Sequence, residues 1–219
     1  MKHLLLALML LLSVSVKGIG ITHGPWICDM DSTSVTIVWV TDKPGLSWVE
    51  LAPEGSDHFY GKARTRYYDI FEGRKVLTDS VHKVHIEGLK PNTKYRYRVF
   101  TQEVAEWRYD DWVTFGKVAC TDVWRGKPYD FTTFPAHPRE ITFLVLNDIH
   151  ERAQFMKDLC KNIDFNKLDF VLLNGDMSNR LRSQQHMMEA YLDTCVQMFA
   201  THTPLFFNRG NHELRGQFA

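Results

Sequence analysis

A run of apolar residues, Ile141-Thr-Phe-Leu-Val-Leu146, passes without a break into the polar sequence Asn147-Asp-Ile-His150. An unbroken apolar run of this length is typical of a parallel strand buried on both faces. The arrangement recurs twice downstream, where Asp169-Phe-Val-Leu-Leu173 runs into Asn174-Gly-Asp176 and Pro204-Leu-Phe-Phe207 leads to Arg209-Gly-Asn-His-Glu213. Since ligand sites in open α/β sheets lie at the carboxyl ends of the strands, the pattern predicts one shared site.

Helical periodicity separates these three strands. Residues 152–163 carry one apolar stripe, formed by Phe155, Met156, Leu159 and Ile163. Residues 183–200 begin with Ser183 as a helix N-cap. Their predicted inward side chains are Met188, Tyr191, Leu192, Cys195 and Phe199. The order β-α-β-α-β predicts the start of an α/β layered domain over residues 141–219.

The first half of the chain follows a different pattern, of short strands separated by turns. The predicted strands are Val35–Val40, Ser47–Leu51, Val81–Ile86 and Lys94–Phe100. Apolar and polar residues alternate in most of them, which is typical of an antiparallel sandwich with one buried and one wet face. We therefore predict an all-β sandwich over residues 21–134, joined by a linker at residues 135–140 that Pro135 and Pro138 stiffen.

The N-terminus predicts export. Lys2 and His3 precede a leucine-rich run over residues 4–12, and small residues follow to Gly20, a pattern typical of a signal peptide over residues 1–20. A membrane anchor is the alternative, but about a dozen apolar residues fall short of the roughly 20 that span a bilayer. We expect a periplasmic or secreted protein with no stable membrane span.

Charge and cysteine content narrow the function classes. With 26 basic and 26 acidic residues the formal net charge is zero, and no basic stripe is evident, so nucleic acid is not an expected partner. Four cysteines at positions 28, 120, 160 and 195 are either disulfide partners in an exported protein or buried thiols. No C-x-x-C spacing occurs, which disfavours a cysteine-ligated zinc site.

The three strand ends predict a metal site. Their donor residues are Asp148, His150, Asp176 and Asn211. Carboxylate, amide and imidazole groups suit Mn, Fe, Zn or similar ions. Because parallel strands end side by side, residues about 30 positions apart in the sequence are expected to converge.

The motifs resemble those of a known family. Asp148-x-His150, Gly175-Asp176 and Gly210-Asn-His-Glu213 are similar to the opening motifs of the calcineurin-like metallophosphoesterases. A sandwich placed before them resembles the architecture of purple acid phosphatases. The sequence Gly88-Leu-Lys-Pro-Asn-Thr-Lys-Tyr95 resembles a fibronectin type III signature, in which Tyr95 would form the tyrosine corner and Trp39 the core tryptophan.

This resemblance implies a role for each motif residue. Asp148 and His150 would bind a first metal ion, Asp176 would bridge two ions, and Asn211 would bind the second. His212 would face the substrate, either donating a proton to the leaving group or stabilising phosphoryl charge. Glu213 would lie behind the ligands and orient the His212 imidazole. The implied cofactors are two divalent or trivalent ions (Fe, Mn or Zn) that activate a water molecule for attack on a small phosphate ester.

Arg180 and two departures from the family pattern refine this picture. Arg180 lies four residues after Asp176, where the phosphoprotein phosphatases carry an arginine that contacts phosphate; the alternative is a solvent-facing cation.

Purple acid phosphatases have a tyrosine at the position of Asn179 and a glycine at that of His150, so we expect a calcineurin-like centre rather than a purple ferric one. The later Gly-His-x-His motif does not occur in these 219 residues, which leads us to expect a longer protein.

The predicted function is hydrolysis of phosphate monoesters, or of diesters, by an exported enzyme. A nucleotidase or phosphodiesterase is the narrower alternative. A binding or adhesion protein that acts through its sandwich domain, with an inert second domain, is the alternative from another class. The oligomeric state is not predicted by these patterns.

Overall fold

The computed structural model describes residues 18–109 and 111–217. The predicted signal peptide therefore lies almost entirely outside the described residues. In chain order the strands are β1 (Ile21–Cys28), β2 (Val35–Thr41), β3 (Gly45–Pro53), β4 (Thr65–Tyr68), β5 (Ile70–Phe71), β6 (Arg74–Lys75), β7 (Val81–Ile86), β8 (Lys94–Arg108), β9 (Trp112–Cys120), β10 (Tyr129–Thr132), β11 (Phe143–Leu146), β12 (Phe170–Asn174) and β13 (Leu205–Asn208). Short 3-10 turns occur at Phe59–Gly61 and Phe165–Lys167.

The first ten strands form the predicted sandwich. One sheet has the order β1-β2-β7, the other has the order β10-β8-β3-β4 with β9 paired to β8, and β5 and β6 form a small hairpin. All of these pairs are antiparallel. The two main sheets enclose an apolar core around Trp39 and Tyr97, whose side chains are fully buried. The all-β fold class of this half is confirmed.

Two predicted marker residues occupy their expected positions. The Tyr95 hydroxyl accepts the backbone N–H of Lys90 at 2.9 Å, as in a tyrosine corner. Trp39 is fully buried, and its indole Nε1 donates to Thr101 Oγ1 at 2.8 Å. Because a buried indole N–H without an acceptor would be costly, this bond fixes the ring in the centre of the sandwich.

The second half is the predicted β-α-β-α-β unit. Strands β11, β12 and β13 lie in that order in a parallel sheet. Helix α1 spans Ala153–Cys160. Helix α2 (184–200) alternates α-helical segments, Gln184–Met187 and Asp193–Cys195, with π-helical segments, Met188–Leu192 and Val196–Ala200. Ser183 Oγ accepts the N–H of His186 at 3.0 Å, which confirms the predicted N-cap.

The burial of this unit differs in part from the prediction. All five predicted inward residues of α2 are buried, but on α1 only Met156 of the predicted stripe is. Phe143 and Val145 of β11 are 49% and 41% exposed, so the expectation that β11 is buried on both faces is wrong for the described residues. The reason is that α1 and α2 pack in one cluster with the opposite face of the sheet, which presents Leu146, Val171 and Leu173.

The two halves share a core. All seven residues of β2 are buried, although the sandwich was predicted to have a wet face. Val38 and Val40 point away from the sandwich interior and pack, together with Trp26 of β1, in the same apolar cluster as α2 and the parallel sheet. At the border His23 Nδ1 lies 3.0 Å from the Asp193 carboxylate. Helix α2 therefore packs on the outer face of the first sheet.

Two further features of the described residues bear on the predictions: the absence of a membrane-spanning helix and the state of the cysteines. No helix among them is long and apolar enough to cross a membrane. All four cysteines are free thiols, with Cys160 and Cys195 buried in the core of the second half. Burial raises the pKa of the Cys28 thiol to about 12, which leaves it protonated and unreactive at neutral pH.

Candidate metal centre

Backbone hydrogen bonds join the loops that follow β11 and β12. The N–H of Asp148 donates to Gly175 O at 3.2 Å, and the N–H of His150 donates to Asp176 O at 3.0 Å. Both bonds lie beyond the last paired residues of the strands, so the parallel pairing in effect continues into the loops. The first two predicted motifs are therefore held together by the main chain.

Four residues of these two loops have a left-handed backbone. Asp148, His150, Glu151 and Asp176 have φ angles of 56°, 51°, 63° and 54°. Residues other than glycine adopt this conformation at a cost of about 1–3 kcal/mol each, and they concentrate at functional sites. The surrounding fold therefore offsets this conformational cost, and the left-handed backbone fixes the direction of each of these side chains.

Two glycines allow the third loop to reach the second. A Cβ on Gly175, whose φ is +83°, would lie 2.7 Å from the Cα of Gly210. A Cβ on Gly210 would lie 2.6 Å from the backbone N of Asp176 and would collide with its carboxylate. Since no side chain fits at either position, the two glycines bring the Gly210-Asn-His-Glu213 loop directly against Asp176.

The predicted ligand residues converge. His150, Asp176 and His212 offer ligand atoms that lie within 4.8 Å of one another. Asp148 Oδ1 is 3.6 Å from His150 Nε2. With the Asn211 amide turned so that both of its groups find partners, its nitrogen donates to Asp176 Oδ2 at 3.0 Å. Five side chains from three loops thus meet at the carboxyl edge of the parallel sheet, and their individual roles stay predictions.

The donor set fits a transition-metal ion. It combines carboxylate and amide oxygens with imidazole nitrogens, the ligands that Mn, Fe and Zn accept. His150 Nδ1 is buried and has no hydrogen-bond partner among the described residues. A buried ring nitrogen left without a partner costs about 1–3 kcal/mol, which a bound ion or an ordered ligand would offset.

Glu213 supports this cluster from behind. Its carboxylate is completely buried and accepts the backbone N–H groups of Asp176 (2.8 Å), Gly210 (2.8 Å) and Ser178 (3.0 Å). Burial alone would raise its pKa, but these donors outweigh burial and hold the pKa of Glu213 below its usual value. The sequence suggested that Glu213 orients the His212 imidazole; in the structure it binds the main chain around Asp176 instead.

The Glu213→Gln variant should lose about 1.5–3 kcal/mol of unfolding free energy at pH 7, because a neutral amide accepts these N–H groups more weakly than a carboxylate. Since the folded pKa is depressed, this stabilisation is complete above pH 4.5 and is lost as the pH falls through the folded pKa. Urea unfolding of both forms between pH 3 and 7 measures the difference. An equal gap at every pH would contradict this assignment.

Sequence reasoning missed the residues around the His212 ring. His212 Nδ1 lies 3.0 Å from Asn179 O and 3.3 Å from Arg215 Nη1. Neither neighbour could be found from the spacing of the motifs, since one contributes a backbone carbonyl and the other lies beyond the motif. The predicted phosphate ligand Arg180 is exposed and makes no side-chain hydrogen bond or ion pair within the described part of the chain.

Two family models match the chain. The purple acid phosphatase N-terminal domain matches residues 26–116, and the calcineurin-like phosphoesterase model matches residues 141–219, where all three motifs lie. Residues 141–219 are therefore similar to a calcineurin-like phosphoesterase domain. The resemblance inferred from the motifs is thereby confirmed, and the matched model describes a family of phosphoesterase enzymes.

One solved structure agrees with the fold described above. The purple acid phosphatase PPD1 from yellow lupin (Lupinus luteus) is 16% identical, with a TM-score of 0.55 over 86% of this chain and 35% of that chain. The chain therefore spans about a third of the length of that enzyme. The FN5 domain of Drosophila Lar matches more loosely, with a TM-score of 0.31, 17% identity and coverage of 56% of this chain and 100% of that chain. No curated protein sequence matches the chain.

Proposed function

We propose that the protein is an exported phosphoesterase with two metal ions, which hydrolyses phosphate monoesters or diesters. The observation that supports it most is the convergence of three strand-end loops on one cluster around Asp176. A phosphoesterase of this family needs ligands from several strands at one point, and the parallel sheet supplies them. The bound ions would lower the pKa of a water molecule and neutralise charge on the phosphoryl oxygens.

Asp176 is the proposed bridging ligand because it lies at the centre of the cluster. Its Oδ1 accepts the N–H of His212 at 3.0 Å, and its Oδ2 accepts from the Asn211 amide at 3.0 Å. Both oxygens thus face the loop that carries the second set of ligands. Asp148 and His150 would hold one ion, and Asn211 the other.

His212 is the proposed catalytic residue. A carbonyl oxygen can only accept, so the short contact with Asn179 O requires a proton on His212 Nδ1. In the neutral ring this leaves Nε2 unprotonated, where it can accept a hydrogen bond; a second proton makes Nε2 the donor to the leaving group. The Asn179 carbonyl therefore fixes the orientation of the ring for either state.

Export and a longer chain complete the proposal. The residues 1–20 support export through their signal-peptide pattern. The chain spans 35% of the lupin enzyme, and we propose that the complete protein is longer and supplies further metal ligands. The experiments below therefore use the full-length protein encoded by this reading frame.

The function is tested by metal content and hydrolysis together. The purified protein should contain about two ions per chain and hydrolyse p-nitrophenyl phosphate, and a chelator should remove both properties until Mn²⁺, Fe²⁺ or Zn²⁺ is returned. Elemental analysis and release of p-nitrophenol measure the two. A folded protein with neither stoichiometric metal nor hydrolysis would favour the binding or adhesion function instead.

A further inference from the structure

Arg215 lies beside two of the predicted site residues, although the motifs assign it no role. Its Nη1 is 3.3 Å from His212 Nδ1, and its Nη2 is 2.9 Å from the Asn211 amide oxygen when that amide is turned so that its nitrogen faces Asp176. Main-chain bonds hold its backbone in place: its N–H donates to His212 O at 3.1 Å, and its carbonyl accepts the N–H of Leu181 at 2.8 Å. The side chain itself is exposed, so a ligand can reach the guanidinium.

Among the residues that the structure describes, these two contacts leave most of the N–H donors of the Arg215 guanidinium unused. When His212 Nδ1 carries the proton that Asn179 O accepts, it cannot also accept from Arg215. Arg215 meets the Asn211 oxygen only while the amide nitrogen faces Asp176; to hold an ion beside Asp176, the amide must turn this oxygen away from Arg215, which frees the donor. A guanidinium has five N–H donors, so Arg215 is a cation at the edge of the site with donors free for an incoming anion.

We infer, on the basis of the proposed function, that Arg215 binds the phosphoryl group of the substrate and selects dianionic phosphate monoesters over monoanionic diesters. The fork of N–H groups on arginine matches two phosphoryl oxygens. A monoester near neutral pH carries close to two negative charges, whereas a diester carries one and has one fewer terminal oxygen. A cation placed at the edge of the site therefore stabilises the monoester more.

Arg215 is better placed than Arg180 to bind the phosphoryl group. Arg215 is within hydrogen-bond distance of a proposed metal ligand and 3.3 Å from the proposed catalytic ring. For Arg180 the described part of the chain shows no side-chain hydrogen bond or ion pair with the cluster. The two arginines can be separated by experiment because they lie on different loops.

The test compares Arg215→Ala, Arg215→Lys and Arg180→Ala in the full-length, metal-loaded protein, with Arg139→Ala, an exposed arginine of the linker, as the matched control. Titration calorimetry with inorganic phosphate measures binding without turnover. Hydrolysis of p-nitrophenyl phosphate and bis(p-nitrophenyl) phosphate gives the ratio of kcat/KM for monoester to diester. Elemental analysis reports the metal content of each variant.

The expected result is a phosphate Kd raised roughly tenfold or more in Arg215→Ala, with a comparable fall in the monoester-to-diester ratio and an unchanged metal content. Arg215→Lys should recover part of the phosphate affinity, since it restores the charge but not the fork. Unchanged phosphate affinity in Arg215→Ala, or a loss confined to Arg180→Ala, would overturn the inference and leave the proposed function intact. Loss of metal from Arg215→Ala would show that Arg215 only positions Asn211, which also overturns it. A wild-type protein that neither binds phosphate nor hydrolyses either ester would overturn both.

Discussion

The Asp176→Asn variant of the full-length protein should lose phosphate-ester hydrolysis by a factor on the order of 10³ or more, because a site that cannot hold its ions loses several kcal/mol of transition-state stabilisation. Asparagine removes the charge and one metal-binding oxygen while keeping the shape of the side chain. It also tolerates the left-handed backbone of this position, where φ is 54°. The loss should therefore come from chemistry and not from unfolding.

Release of p-nitrophenol under substrate saturation measures this loss, and elemental analysis should show less than two ions per chain. Asp158→Asn is the matched control, since Asp158 is an exposed carboxylate on α1 whose side chain accepts a hydrogen bond only from Gln154 among the described residues. It should retain wild-type turnover. A folded Asp176→Asn protein with near-normal hydrolysis would refute the proposed bridging role.

Trp26→Ala should destabilise both halves of the protein together, by about 3–5 kcal/mol. Trp26 is 7% exposed and belongs to the cluster that joins β1 and β2 to α2 and the parallel sheet. Its removal leaves a cavity in that cluster, which neither half can close alone. Because domains are stable by only about 5–15 kcal/mol, this is a large share of the total.

Urea unfolding followed by hydrogen exchange and mass spectrometry resolves the two halves, since peptides from β2 and from β12 report on each. Both sets of peptides should show one transition that moves to lower urea in Trp26→Ala. Trp124→Ala is the control, because Trp124 is 77% exposed and its removal should change stability little. Two separate transitions, only one of which moves, would contradict a shared core.

The fold was predictable where local pattern and tertiary structure agree. The strands at residues 143–146, 170–174 and 205–208 follow from short apolar runs, and helix α2 follows from its stripe and its Ser183 cap. The packing of α2 on β2 was not predicted, because periodicity shows which residues are apolar but not which element packs on them. Val35-Thr-Ile-Val-Trp-Val-Thr41 lacks a charged face, and this was the available signal that both sides are buried.

The site was predictable to the level of its motifs. Motif spacing and strand ends placed His150, Asp176 and His212 together, and the structure brings them within 4.8 Å. The contacts of Glu213 and Arg215 could not be read from sequence, since they depend on the path of the backbone through left-handed residues. Side chains that support a site through main-chain N–H groups leave no pattern in the order of residue types.

The packing of α2 on the sandwich limits where the chain can be cut into pieces that fold independently. The predicted linker, residues 135–140, lies between the two matched domains, yet a cut there would separate Met188 and Tyr191 from the residues of β1 and β2 in their shared apolar cluster. Either piece, produced alone, would expose an apolar surface that promotes aggregation. The two domains are therefore expected to fold as a pair, and replacing the sandwich by that of a relative would require matching changes on α2.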